Sequence, residues 1–376
     1  MKKHLFLGFL ICFALCLAKP AFANQFNFSV KPNLPENQIG QTGYYNLLMK
    51  SGQKQIVTVD LSNATDKMVT VEAAVASATT NSNGVVEYSP NAIKSDESLK
   101  YNLVDFVKLP KEISLAPKST KNVEIQVEMP SNATSGTIAG GLTFKQKSSE
   151  IADKKDDKKQ GLSIQNNYAY VVGFLMSQSE TKIAPELNLT TVKAGQINYR
   201  NMILANLQNP KMAYLNQMQV EANVTGLTDA SLSYTQNREM LQMAPNTNFD
   251  YGLPTGDGQK LQAGKYRLTM TVYGQKDPNG QYKAKDSSGK ENNFLYRWQF
   301  TRDFEISGEQ AKALNAKDVT IKKDNSWIWW LILAAILLIL LLIFFFILWK
   351  RRKKDDDEVE ENEAEKLLAE KLKNEN

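Results

Sequence analysis

The residue types that most often carry chemistry are scarce in this chain of 376 residues. Both cysteines, Cys12 and Cys16, and the only histidine, His4, lie near its start. Nucleophiles of the Cys–His and Ser–His kinds and nearly all zinc sites need these residue types. Most acidic residues fall on the polar side of alternating strand patterns, where solvation explains them, so the carboxylate pair of a glycosidase is not indicated. The sequence therefore predicts no catalytic residue, no metal ion and no cofactor.

One short segment carries side chains suited to ligand binding. Its amide groups combine a donor with an acceptor, as sugar hydroxyls and peptide amides require, and its proline holds the backbone extended. Two tyrosines that follow it can stack on the face of a sugar ring. The alternative is structural, with the segment closing one end of a sandwich and its amides bonded to backbone groups there. The candidate ligand-binding residues are Leu34, Pro35, Glu36, Asn37, Gln38, Tyr44 and Tyr45.

Two further polar or aromatic patterns have simpler interpretations. One strand face carries three alternating aromatic residues, which could form a carbohydrate platform, although burial in a core is favoured. A second alternating set offers oxygen ligands for calcium, but only one of its members is a carboxylate, so no metal site is predicted. The aromatic set is Tyr296, Trp298 and Phe300, and the oxygen set is Asn246, Asn248 and Asp250.

The elements that must position these residues are strands. Apolar and polar residues alternate from residue 50 to residue 306, most clearly at 123–129, 218–224 and 266–272. This period-two pattern is typical of strands with one face inward and one face in water. Turn residues separate the strands, and no long helical pattern precedes residue 309. The sequence therefore predicts an all-β fold with two tandem immunoglobulin-like β-sandwich domains.

An internal repeat supports two copies of one architecture. Gly52-Gln53, followed by Leu61-Ser62-Asn63, parallels Gly195-Gln196, followed by Leu207-Gln208-Asn209. Between the copies, the charged segment 145–161 is either an interdomain linker or a long hairpin tip. In the second case the strand-like residues that follow it complete the first sheet. The predicted domains are 24–150, with a last strand possibly at 167–178, and 160–308.

Both ends of the chain predict a surface location. Residues 1–23 have a charged start, an apolar run and the pattern Ala21-Phe22-Ala23, which is typical of a signal peptide. Twenty-three uncharged residues at 327–349 span about 34 Å as a helix, enough to cross a bilayer. The basic cluster 350–354 places the tail 350–376 in the cytoplasm, and 309–326 is predicted as a stalk. The expected protein crosses the cell membrane once, with its N-terminal region outside and facing the cell wall.

Net charge and the lack of cysteine after residue 23 narrow the classes of partner and of source organism. The formal net charge of +5 is too small to predict nucleic acid binding. Exported domains without any disulfide are common on the surface of Gram-positive bacteria and unusual among secreted animal modules.

Particular residues resemble a known family. The segments 28–38, 78–90 and 136–144 resemble the peptidoglycan-binding module of the WxL-interacting proteins of Gram-positive bacteria. The segments 192–196, 205–210, 242–251 and 298–304 are similar to the companion host-binding module. The resemblance implies that the first module binds peptidoglycan. It also implies that the second contacts WxL-domain surface proteins or host matrix proteins.

These observations together predict a non-catalytic binding scaffold that links membrane, wall and partner proteins. Two other functions stay open at this stage. A cell-wall hydrolase would need a carboxylate pair assembled in space. A membrane-tethered pilus-type chaperone would present an exposed edge strand to a foreign strand.

Overall fold

A computed structural model describes residues 27–132, 134–147, 168–322 and 327–374, with side chains described up to Lys350 in the last helix. The predicted signal peptide and the centre of the charged segment 145–161 lie outside the described residues. Most of the described residues before Gly308 form strands, so the all-β prediction is confirmed. Everything described up to Asp318 forms one compact unit, and the residues from Val319 form a second.

The first sandwich encloses one core between two sheets. Its elements are β1 (Phe28–Asn33), β2 (Tyr45–Leu48), β3 (Lys54–Asn63), β4 (Val69–Ser77), β5 (Thr79–Thr80), β6 (Val86–Glu87), α1 (Leu103–Phe106), β7 (Val107–Lys108), β8 (Glu112–Leu115), β9 (Thr120–Glu128), β10 (Thr137–Gln146) and β11 (Ala169–Ser177). The sheet orders are β1-β3-β9-β7 and β2-β11-β10-β4-β8, and β5 pairs with β6 as a separate hairpin. Alternate residues of β9, such as Val123 and Ile125, share one core with Phe144 and Phe174 of the facing sheet.

The strand after the charged segment belongs to this first sandwich. β11 pairs antiparallel with β10 and parallel with β2, and its alternate residues Phe174 and Met176 are fully buried in the first core. The junction between the two sandwiches therefore follows Ser177.

The second sandwich has the same construction. Its strands are β12 (Asn188–Ile197), β13 (Arg200–Asn209), β14 (Leu215–Gly226), β15 (Ser233–Met243), β16 (Thr247–Pro254), β17 (Gly264–Lys276), β18 (Tyr282–Lys285) and β19 (Glu291–Ile306). They form sheets of order β12-β13-β16 and β15-β14-β17-β19-β18. The core between them includes Ile203, Val220 and Tyr251, all fully buried.

Seven strands of each sandwich follow one order. The sheet β1-β3-β9 corresponds to β12-β13-β16, and β11-β10-β4-β8 corresponds to β19-β17-β14-β15. Asn63 and Asn209, which end β3 and β13, make equivalent contacts. Each donates from Nδ2 at 2.7 Å to the carbonyl oxygen four residues on, and each accepts the backbone amide two residues on. Sheet order and strand-end hydrogen bonding therefore repeat together, at the residues that carry the repeat in the sequence.

A short helix packs on the second sandwich within the segment predicted as a stalk. This helix, α2 (Gly308–Lys317), begins after Ser307, whose hydroxyl oxygen accepts the Gln310 amide at 3.1 Å. Asn315 exchanges two hydrogen bonds with the backbone of Leu261, at 2.8 and 2.9 Å, and Ala311 is buried. These contacts hold α2 against the domain that precedes it.

The last helix, α3 (Trp327–Asn374), forms the second unit. Its part Trp327–Lys350 is long and apolar enough to cross a membrane. This stretch agrees with the span predicted from the sequence.

Candidate functional site: the junction and cleft between the sandwiches

The two sandwiches meet where the β5–β6 hairpin lies against β15 and β16. At this contact the hydroxyl oxygens of Thr80 and Thr247 are buried and 2.7 Å apart. Thr247 donates to the Ala244 carbonyl at 2.8 Å, so its oxygen accepts the proton of Thr80. The Thr80 oxygen in turn accepts the Ala244 amide at 3.0 Å. Because each hydroxyl donates and accepts, this buried contact carries no unpaired hydroxyl and fixes how the hairpin docks.

The turn of this hairpin fits the second sandwich closely. Gly84 has φ +67°, a left-handed conformation that suits glycine, and a Cβ atom there would lie 2.6 Å from the Leu241 side chain. The Gly84 carbonyl accepts the Gln242 amide at 2.7 Å, and the Asn83 carbonyl accepts Arg238 Nη2 at 2.7 Å. A side chain at position 84 would therefore strain the turn and push it away from β15.

A single carboxylate ties a loop of the first sandwich to two strands of the second. Asp96 is only 8% exposed, and it accepts Gln208 Nε2 at 3.0 and 3.1 Å and Asn248 Nδ2 at 2.6 Å. Within its own loop it accepts the Ser98 amide at 2.9 Å and the Ser98 hydroxyl at 2.5 Å. Burial alone raises the pKa of Asp96, but the hydrogen bonds from Ser98, Asn248 and Gln208 outweigh it and hold that pKa below its usual value. The carboxylate is therefore charged at neutral pH.

Both sandwiches also line a cleft of about 580 Å³. The first contributes the loop before β2, the outer face of β11 and residues at the end of the β5–β6 hairpin, and the second contributes residues at β14 and β15. The lining residues are Gly43, Tyr44, Val86, Tyr88, Val171, Val172, Gly173, Leu175, Tyr214, Asn216 and Gln242. None of these residues is charged, and the volume falls in the range of small-ligand sites.

Three tyrosines give the cleft its aromatic character. The hydroxyls of Tyr88 and Tyr214 share a hydrogen bond of 3.2 Å, and burial raises the pKa of both groups. Tyr44 is 38% exposed. The Tyr88–Tyr214 pair is therefore neutral at physiological pH, and Tyr44 offers a ring that ligands can reach.

Two paired glycines lie beneath the tyrosines at the cleft. Gly141 of β10 and Gly173 of β11 are direct partners in the antiparallel register. A Cβ atom on Gly141 would lie 2.5 Å from the Tyr88 carbonyl oxygen, so only glycine lets that backbone approach. The ideal Cβ position on Gly173 lies 3.5 Å from Tyr44. The missing side chains let Tyr88 and Tyr44 approach the sheet closely, and Gly173 lines the cleft.

The polar part of the predicted binding segment is already bonded within the protein. Asn37 Nδ2 donates to the Leu48 carbonyl at 2.9 Å and to Gln55 Oε1 at 3.0 Å. Gln38 Nε2 donates to the Tyr44 carbonyl at 3.1 Å, and Gln38 Oε1 accepts a backbone amide of β2. Both amides therefore hold the loop before β2 in place, which is the structural role that the sequence left open.

The other predicted residues of this region divide between core and surface. Tyr45 is fully buried, and its hydroxyl donates to the Thr58 carbonyl at 2.6 Å, so its ring is inaccessible to a ligand. Leu34 and Glu36 are exposed, and Pro35 is half-buried. Of the seven candidate residues, only Tyr44 lines the cleft.

The aromatic pattern along β19 is half-buried. Trp298 and Phe300 pack against the second core, and Tyr296 stacks on Trp298 with ring centroids 5.7 Å apart. The three aromatic residues therefore shield one edge of the second core from solvent.

The oxygen-rich residues at 246–250 are engaged in hydrogen bonds at the junction between the sandwiches. Asn248 binds Asp96, while Asn206 Nδ2 donates to both Asn248 Oδ1 and Asp250 Oδ1. Among the residues that the structure describes, no group of three or more acidic, histidine or cysteine side chains could hold a metal ion.

Several residues of the junction and cleft were missed by the sequence interpretation. Thr80, Tyr88 and Gln242 lie in segments singled out for their family resemblance, and that resemblance was the available signal. Tyr214 and Asn216 follow no pattern that separates them from other strand residues. They lie next to a register shift in β14 that begins after Leu215, which local periodicity does not predict.

Two family models match successive parts of the chain. The model described as the peptidoglycan binding domain of WxL Interacting Protein matches residues 28–146. The model described as the host binding domain of WxL Interacting Protein matches residues 159–316. The second match begins before β11, although β11 lies in a sheet of the first sandwich. No curated protein matches the chain at a significant level.

Solved structures with weak similarity include chaperones and a PapD-like domain. The Pseudomonas aeruginosa CupB2 chaperone is 11% identical, over 67% of this chain and 93% of that chain, with a TM-score of 0.25. The CsuC–CsuE chaperone complex of Acinetobacter baumannii is 9% identical, over 60% and 90%, with a TM-score of 0.29. The PapD-like domain of human CEP192 is 11% identical, over 44% and 95%, with a TM-score of 0.26.

Proposed function

The chain belongs to the WxL-interacting protein family, and we propose that it is a non-catalytic, membrane-anchored scaffold on the cell surface. The observation that carries the proposal is the ordered match of two binding-domain models, one to most of each sandwich, ahead of a helix apolar enough to span a membrane. Matches to two binding domains support a protein that binds its ligands and does not convert them chemically.

The first sandwich is proposed to bind peptidoglycan. This assignment is supported by the peptidoglycan-binding domain model over residues 28–146. The second is proposed to contact WxL-domain surface proteins or host matrix proteins, supported by the host-binding domain model over residues 159–316. Each assignment concerns a class of ligand, and each has its own test.

The orientation follows from charge. Lys350, Arg351, Arg352, Lys353 and Lys354 come directly after the apolar stretch of α3, and such clusters are retained in the cytoplasm. The two sandwiches would then stand outside the membrane, within reach of the wall. Protease added to intact cells should remove the sandwiches and leave an epitope placed after Asn376 protected. Loss of that epitope with the membrane intact would contradict the orientation.

The test of wall binding uses the full chain in lipid nanodiscs and insoluble peptidoglycan stripped of its anionic polymers. Sedimentation measures retention, and chromatography of the supernatant measures released muropeptides. Retention without release is the expected result. Release would instead support the wall-active hydrolase, and absence of retention would contradict peptidoglycan binding.

The test of protein partners uses the same nanodiscs as bait. Purified WxL-domain proteins and a host matrix protein are offered separately, with empty nanodiscs as the control. Retention of either class supports the role proposed for the second sandwich, and failure of both contradicts it.

A further inference from the structure

We propose that the cleft between the sandwiches binds an uncharged carbohydrate, namely a glycan segment of peptidoglycan, with Tyr44 as the stacking residue. The inference rests on the proposed wall-binding function and adds the site and the chemical part of the polymer that is recognised. It also makes the second sandwich part of that site, because Tyr214, Asn216 and Gln242 complete the cleft.

The chemistry of the lining favours a sugar. Carbohydrates present apolar ring faces that stack on aromatic side chains, and hydroxyl and acetamido groups that pair with amides. Tyr44 supplies an accessible ring. Asn216 and Gln242 line the same cleft, and their side-chain amides make no hydrogen bond to any residue that the structure describes. The cleft therefore combines an exposed ring with two amides whose donors and acceptors are free for a ligand.

The same criterion separates this cleft from the segment 34–38. That segment has the same amide types, but the amides of Asn37 and Gln38 are engaged with the backbone and with Gln55. A ligand there would have to break these bonds before it made its own. The free amides of the cleft carry no such cost.

Charge selects among wall polymers. All the lining residues are uncharged, and burial keeps the hydroxyls of Tyr88 and Tyr214 protonated. A phosphate-rich wall polymer would find no cation in this lining, and the charged stem peptides would find no opposite charge. An N-acetylated sugar ring is neutral at most of its polar groups and matches the lining best.

The test measures binding of the full chain in nanodiscs to an uncharged oligomer that carries N-acetylated sugar rings and no stem peptides. A soluble N-acetylglucosamine tetramer serves as the titration probe. Tyr44→Ala should weaken binding about tenfold, as expected for loss of one aromatic contact. The double variant Asn216→Ala with Gln242→Ala should weaken it by a similar factor through lost hydrogen bonds.

Matched controls remove the same groups elsewhere. Tyr199→Ala deletes a tyrosine that is 70% exposed on the turn between β12 and β13, and Gln299→Ala deletes an exposed amide on β19. Both should bind like the unmodified chain. Gly173→Val, which fills the space beneath Tyr44, should block binding while thermal unfolding shows that the fold is kept.

The outcomes separate the inference from the function on which it rests. If the cleft variants bind as tightly as the controls, the cleft is not the site, although wall binding stands. If the unmodified chain binds whole peptidoglycan but not the N-acetylglucosamine tetramer, recognition of the glycan is overturned while wall binding again stands. If it binds neither material, wall binding and the inference fail together.

Discussion

Removal of the Asp96 carboxylate should weaken the junction between the two sandwiches more than any other single change to its polar groups. In Asp96→Ala, Gln208 Nε2 and Asn248 Nδ2 lose the acceptor that they now share. Asn248 cannot simply turn its amide to compensate, because its Oδ1 already accepts Asn206 Nδ2 at 3.0 Å. Two donors at the junction are therefore left without their partner.

The size of the effect follows from the number and kind of bonds lost. A hydrogen bond to a charged group contributes about 1.5–3 kcal/mol, and an unsatisfied buried donor costs about 1–3 kcal/mol. Asp96 itself is 8% exposed, but Gln208 and Asn248 are only half-buried, so water can reach part of the space. We therefore expect a loss of about 2–4 kcal/mol in the free energy of unfolding, at or below the lower end of the roughly 3–6 kcal/mol that two such bonds would contribute together.

A matched control separates the junction from the local turn. Asp229 accepts the Ser231 amide at 2.9 Å and the Ser231 hydroxyl at 2.7 Å, the same pattern that Asp96 makes with Ser98. Asp229 is exposed and has no such contacts across the junction. Asp229→Ala therefore removes the turn contacts only, and its loss should be clearly smaller than that of Asp96→Ala.

The assay is urea unfolding of the full chain in nanodiscs, with hydrogen exchange of the Ala244 and Gln242 amides as a local readout. These two amides donate across the junction, so they should exchange faster in Asp96→Ala and unchanged in Asp229→Ala. Equal losses in the two variants would show that the carboxylate acts only within its own loop. That result would refute the reasoning.

Acid should reproduce the effect of the substitution. The folded-state pKa of Asp96 lies below the unfolded value of about 3.9, so its contribution to stability is complete above that value. The contribution is lost as the pH falls through the folded-state pKa. Below about pH 4 the difference in stability between the unmodified chain and Asp96→Ala should therefore shrink, and a difference that stays constant to pH 2 would contradict this assignment.

Two other substitutions test the docking of the hairpin. Gly84→Ala should lower the free energy of unfolding by roughly 1–3 kcal/mol more than Gly289→Ala does. Both glycines have positive φ, but only at Gly84 would the new Cβ meet a neighbour, the Leu241 side chain. Equal losses of stability in thermal unfolding would argue against close docking of the hairpin. Thr80→Val leaves the Ala244 amide without its acceptor and should lower the free energy of unfolding by about 1–3 kcal/mol. Thr80→Ser keeps the hydroxyl and should lower it less. If thermal unfolding shows the serine variant to be as unstable as the valine variant, the contribution of Thr80 comes from packing and not from this hydrogen bond.

The strands could be predicted because their signal is local. The alternation at 123–129 and 266–272 corresponds to buried and more exposed residues of β9 and β17, whereas in β14 the polar residue Gln219 is buried as well. Side-chain direction in a strand follows the backbone of its own residues, so neighbours in the sequence are sufficient. The same rule separates two adjacent tyrosines. Tyr45 alternates with Leu47 and Met49, which predicts the core, and Tyr44 falls on the other face.

The site could not be predicted in the same way. The amides of Asn37 and Asn216 are chemically identical, and what distinguishes them is whether the fold supplies a partner. Asn37, in the loop before β2, finds one in Gln55 of β3, while Asn216 lies at an open cleft. The carboxylate of Asp96 is likewise ordinary in sequence, and its role arises because Asn248, 152 positions away, folds against it. Such pairings are tertiary, and periodicity carries no information about them.

Four of the segments that carry the family resemblance converge in space. The hairpin at 78–90, the strand at 136–144 and the motifs at 205–210 and 242–251 contribute residues to the junction or to contacts beside the cleft, among them Thr80, Gly141, Gln208 and Asn248. The resemblance therefore includes residues at which the two sandwiches dock, in addition to residues that identify each module.

Docking and ligand binding should then be coupled. A ligand that contacts both Tyr44 and Asn216 binds only when the sandwiches are docked, so its binding free energy adds to the stability of the junction. By the same linkage, a weakened junction lowers the apparent affinity by the fraction of molecules that remain docked. Asp96→Ala lies outside the cleft lining, so any loss of affinity for the N-acetylglucosamine tetramer in that variant must pass through docking. The loss should grow as urea populates the undocked state, and it should be absent in Asp229→Ala. An affinity that is independent of urea up to the unfolding transition would show that one sandwich alone forms the site.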